Sequence, residues 1–134
     1  MEATYRKALA AATRAVGHRK TTSADELRRA GQQLLGGVAI VAADEIQPHT
    51  KLLIANLDER SMPGSHWVCR YDGAWHDPLG SNGTDQRAAF VRRVQGSWTD
   101  DDPEQRREED NCGQRCLAAL MVGVQLGSDG FALL

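Results

Sequence analysis

No apolar run in these 134 residues approaches the roughly 18 that a membrane-spanning helix needs. The opening stretch Met1-Glu2-Ala3-Thr4-Tyr5-Arg6 has no hydrophobic block of the secretory-signal kind. Cysteine is scarce too. Its three copies are odd in number and fall into no framework spacing, which excludes a disulfide-built scaffold and fits reduced thiols in an intracellular setting. Charge of either sign is not in excess: 16 basic against 18 acidic residues leave a net −2, so no general electrostatic case for binding nucleic acid exists. There is no internal repeat and no Gly/Ser linker that would divide the chain. With 41% hydrophobic and 25% charged residues, the composition suits one globular domain over 1–134, with residues 1–20 forming a helix or arm at its periphery.

What is present concentrates near residue 112. A polar, acidic stretch from Asp100 to Asp110 gives way to Asn111-Cys112-Gly113-Gln114-Arg115-Cys116, after which Cys116, Leu117, Leu120, Met121 and Val124 recur at helical spacing. The change predicts a helix start. Asn111 suits the N-cap and Gln114 can complete a capping box, so Cys112 falls in the first turn. A thiol there lies beside unpaired backbone N–H groups and the positive end of the helix dipole, a setting that favours the thiolate.

Upstream, Glu2 to Val16 is alanine-rich with interspersed basic residues and reads as a helix or partly ordered arm more than as a core element. Thr22/Ser23 ahead of Glu26 predicts a second helix start, Ala24 to Leu35 carries an apolar stripe, and Gly36-Gly37 ends it, packed on the sheet. Gly37 to Ala42, Lys51 to Asn56 and His66 to Tyr71 read as strands. Asp72-Gly73 is a hairpin turn with Ala74 to Asp77 returning, and Thr84 to Gln95 can form a short helix through Ala88, Phe90, Val91 and Val94.

A cysteine nucleophile needs a base, a group to orient that base, and oxyanion donors. His66 opens a strand after the Pro63-Gly64-Ser65 turn and is the candidate base. Pairing Tyr71 with Ala74 across the turn puts Asp77 opposite Val68, close enough in register for its carboxylate to fix the His66 tautomer. Asp72 is the rival acid, although a turn already explains it. Gln105, seven residues before Cys112, could add an amide to the Cys112 N–H as an oxyanion donor.

These residues resemble the adenovirus-type (adenain-like) maturation proteases, relatives of the SUMO-specific proteases. The likeness is carried by Gly64-Ser65-His66-Trp67-Val68, by His76-Asp77-Pro78-Leu79-Gly80, and by Gln105 followed by Asn111-Cys112-Gly113-Gln114-Arg115-Cys116. The order His, Asp, Gln, then Cys-Gly at a helix start is its specific part, and the similarity extends over residues 21 to 126. The resemblance implies an α+β fold with a small mixed sheet beside the cysteine helix. It implies peptide hydrolysis through a thioester without a cofactor, acting on viral capsid or core precursor polypeptides next to glycine-containing sites, in the virion and the host-cell interior. Two alternatives stand beside it: an isopeptidase of ubiquitin-like modifiers, and a virion structural protein that keeps the fold without activity. The DNA activation of adenovirus enzymes does not transfer, because the charge gives no support for it.

Other chemistry-bearing residues have simpler readings. Cys116 and Cys69 are expected in the core, Trp67 and Trp75 in the core or a cleft wall, and His18, His49 and His76 on the surface. The acidic runs 100–102 and 108–110 read as a solvated face. Against a structural zinc site built from Cys112, Cys116, His66 and His76, the two histidines lie ten residues apart and Cys116 is expected to face the core.

Overall fold

The computed structural model describes residues 1–17, 22–58, 66–80, 85–94, 96–99 and 111–134, with only the backbone of 85–88. Four helices and four strands appear among them: α1 (Glu2–Val16), α2 (Ala24–Leu35), β1 (Ala39–Val41), β2 (Leu52–Asn56), β3 (Trp67–Tyr71), β4 (Ala74–His76), α3 (Asp85–Arg93) and α4 (Cys112–Ala132). The class is α+β. The strands lie in chain order in one mixed sheet, β1 parallel to β2 and the rest antiparallel. Arg70 opposite Trp75 and Cys69 opposite His76 show that the two-residue Asp72-Gly73 turn sets the register anticipated from sequence. Both turn residues have positive φ, 48° and 88°, the backbone that favours Asp-Gly here.

Alternation along the strands gives the sheet two apolar faces. Ile40, Ile54, Trp67, Cys69 and Tyr71 face α4, while Leu53, Ala55, Val68 and Trp75 form a second cluster with Phe90 and Trp98. Helix α4 is the central element, lying between the sheet and the helices α1 and α2. Because it is covered on both sides, it is buried nearly all round from Cys116 to Gly123, and small residues allow the close approach. A Cβ on Gly123 would come within 2.6 Å of the Tyr71 ring. Gly127 (φ 76°, ψ −174°) breaks the helix and turns its last residues back, so that Phe131 reaches Tyr71 at 5.6 Å between ring centroids.

Several expectations change. Helix α1 is no peripheral arm: Tyr5, Ala8 and Ala12 are buried against the core, the alanines giving a flat face on which α4 packs. The cysteine helix runs past the apolar stripe, and Val124 lies 56% exposed on its outer side. Helix α2 contacts β1 as anticipated, but it also packs on α1 and α4. Its N-terminus is a full capping box, Ser23 accepting from the Glu26 N–H and the Glu26 carboxylate accepting from the Ser23 N–H, and Gly36 in the left-handed region closes it. Residues 96–99 cover the edge of β4, with Trp98 bridging to Trp75: Trp75 N–H donates to Ser97 and Thr99 N–H to Trp75. No helix among the described residues is long and apolar enough to cross a membrane.

Candidate active site

Three of the four candidate residues come together, from three separate parts of the chain. Cys112 is the first residue of α4, His66 directly precedes β3, and Asp77 directly follows β4. The hairpin brings His66 and Asp77 to one end of the sheet, and packing of α4 on β3 brings Cys112 to that same end. Gln105 lies outside the described residues.

Asp77 is fixed before it meets the histidine. Its Oδ1 accepts the Leu79 N–H at 2.9 Å and its backbone carbonyl accepts from Gly80, so Asp77-Pro78-Leu79-Gly80 is an Asx turn that aims the carboxylate inward. The same Oδ1 accepts from His66 Nε2 at 2.7 Å, with the Asp77 side chain fully buried. Asp72 sits exposed in the turn at the opposite end of the hairpin, so the acid near the imidazole is Asp77.

His66 has the Cys112 thiol as its other polar neighbour, acting through hydrogen bonding and charge. With Nε2 committed to Asp77, Nδ1 is the nitrogen left for sulfur. Burial by itself would lower the imidazole pKa. The hydrogen bond to Asp77, the thiol and the two negative charges outweigh it and push the ring up to about 9 from 6.5. The site therefore holds an imidazolium at neutral pH. The backbone N–H of Trp67 points at the Cys112 sulfur at 3.5 Å, a second positive feature beside it. Cys112 and His66 are nearly buried, keeping 8% and 9% of their surface exposed.

The capping box expected at α4 does not form. Asn111 makes no side-chain cap bond, and its amide oxygen instead accepts from Arg115 Nε at 3.1 Å. Gln114 turns away from the helix start, with Oε1 accepting from the Thr22 hydroxyl and Nε2 donating to the Gly17 carbonyl. The consequence is chemical. The first-turn N–H groups of α4, including that of Cys112, have no intrahelical acceptor by geometry, and no Asn111 oxygen caps them.

Cys69 on β3 and Cys116 on α4 are both buried and unoxidised, neighbours in the core between the sheet and that helix, and burial pushes the Cys116 thiol up, with Cys69 adding to the rise. His76 is corrected from surface to core. It is fully buried, with Nδ1 at 2.6 Å from the Thr99 hydroxyl and its ring edge-on to Phe131, because the covered edge of β4 and the returning end of α4 enclose it. His49 is exposed as expected, and His18 lies outside the described residues. Sequence reasoning missed the roles of Thr22, Gln114 and the Leu79 N–H. Only the last had a local signal, the Asp-Pro-x-Gly turn pattern. Among the described residues no group of three or more His, Cys, Asp or Glu is placed to hold a metal. Comparisons with protein-family models, with curated proteins and with solved structures returned no match.

Proposed function

We propose that the protein is a thiol endopeptidase of the adenovirus-maturation type, with the adenain and SUMO-protease fold. The observation that carries this reading is the Asp77–His66–Cys112 arrangement, in which the carboxylate takes one ring nitrogen and leaves the other for a thiol at a helix start. Cys112 sulfur attacks the scissile carbonyl carbon. His66 passes its proton to the departing amine, which leaves a thioester on Cys112. Water, deprotonated by His66, then attacks that thioester, and the acid product departs as the thiol is restored. The Cys112 N–H at the start of α4 holds the oxyanion in both steps, with the Gln105 amide as its partner. Asp77 keeps the ring oriented and stabilises the imidazolium. A small mixed sheet packed on a helix that begins with the nucleophile supports the same fold assignment.

The substrates are viral capsid or core precursors cleaved next to glycine, in the virion and the infected cell. The test pairs a panel of glycine-containing precursor peptides and ubiquitin-like modifier conjugates with wild type and Cys112→Ala. Cleavage of the peptides by wild type alone is the expected result. Cleavage confined to the modifier conjugates would move the reading to an isopeptidase, and equal activity of Cys112→Ala would remove the nucleophile.

A further inference from the structure

The two halves of the site share one support that takes no part in the chemistry. Thr22, in the connection between α1 and α2, is buried, and both its carbonyl and its side chain are engaged. The carbonyl accepts from the Trp67 indole Nε1 at 3.1 Å, and the hydroxyl donates to Gln114 Oε1 at 3.1 Å. Its Cβ packs where a side chain on Gly113 would sit, 3.2 Å from an added Cβ, with Leu27 equally close. Trp67 follows His66 and presents its backbone N–H to the Cys112 sulfur; Gly113 and Gln114 follow Cys112. Gln114, 1% exposed, completes the tie by donating to Gly17 at 3.2 Å on the other side of the same connection.

We infer that Thr22 and Gln114 are positioning residues, holding the helix start that carries Cys112 at a fixed distance from the strand start that carries His66. The inference rests on the thiol-protease reading. A buried hydroxyl bonded to a buried amide resists displacement because separation would leave both polar groups unsatisfied. Reactivity falls steeply when reacting groups are misplaced by about 1 Å, so loosening this tie changes the thiol–imidazole geometry before it changes the fold.

The experiment measures the rate at which iodoacetamide alkylates Cys112 in the full chain, read by mass spectrometry from pH 5 to 10, together with the melting temperature. Wild type should label much faster near neutrality than His66→Ala. Thr22→Val keeps the Cβ against Gly113 and the carbonyl to Trp67 but replaces the hydroxyl with a methyl. It should label about five- to tenfold more slowly at pH 7, the scale of one lost buried hydrogen bond, and shift the limbs of the pH profile. Thr22→Ser should return both to within about twofold of wild type. Trp67→Phe, which cuts the other bond of the tie, should shift the profile in the same direction. A Thr22→Val protein with the wild-type rate and profile would overturn the inference while leaving the protease reading standing. Equal labelling of wild type and His66→Ala would overturn the protease reading and this inference with it.

Discussion

At the scale of the residue, the Asp77–His66 bond links chemistry to stability. The folded imidazole titrates at about 9 against 6.5 in a free chain, so the protonated ring stabilises the fold. The sign follows directly: the contribution is complete below pH 6.5, declines between 6.5 and about 9, and is gone above that. Its upper bound is about 3–4 kcal/mol, since each tenfold gain in proton affinity is worth about 1.4 kcal/mol. Urea midpoints of wild type should fall between pH 6 and pH 9.5, and those of Asp77→Asn should fall less; parallel falls in both would sink the idea. If the proposed activity holds, Asp77→Asn should lower kcat by about 10²- to 10⁴-fold with little change in KM, because it disturbs the orientation of His66 and not the binding surface. Asp77 was legible in the sequence because an Asp-Gly turn fixes its register, and the Asp-Pro-x-Gly pattern is the one local trace of the Leu79 N–H that aims it.

At the scale of the element, the parts that sequence foretold are those held by neighbours in sequence. The Ser23–Glu26 box is one, and Ser23→Ala should cost about 1 kcal/mol in denaturant titration. The hairpin is another. Helix α4 was legible as a helix with its cysteine in the first turn, but not in how its start is finished. Gln114 is the right residue for a capping box, yet the buried Thr22 hydroxyl 92 residues away takes its side chain instead. A long-range partner that is itself buried outcompetes a local bond that water can replace. The close approach of α4 to β3 gives a sharper measurement. Gly123→Ala puts a methyl into the Tyr71 ring, which cannot withdraw as a flexible chain end would, and should destabilise by about 1–3 kcal/mol by urea titration. No measurable loss would mean the helix can shift outward.

At the scale of the whole molecule, chain order conceals the layers. An alanine-rich opening segment looks dispensable until the element it covers is known, and that element begins at residue 112. Likewise His76 reads as polar until Thr99 and Phe131 enclose it. The sheet separates two cores, and the tryptophans divide with them: Trp67 stands on the α4 side beside the Cys112 sulfur, while Trp75 and Trp98 stack on the other at 5.7 Å and 20°. This division has an optical consequence. Two indoles stacked so closely couple their transitions and give a paired circular-dichroism signal that Trp98→Phe should abolish, whereas the third indole donates to the Thr22 carbonyl on the side of the sheet that carries Cys112. Alkylating Cys112 should therefore change fluorescence and leave the dichroic couplet in place, giving one signal for the state of the sulfur and another for the integrity of the far core.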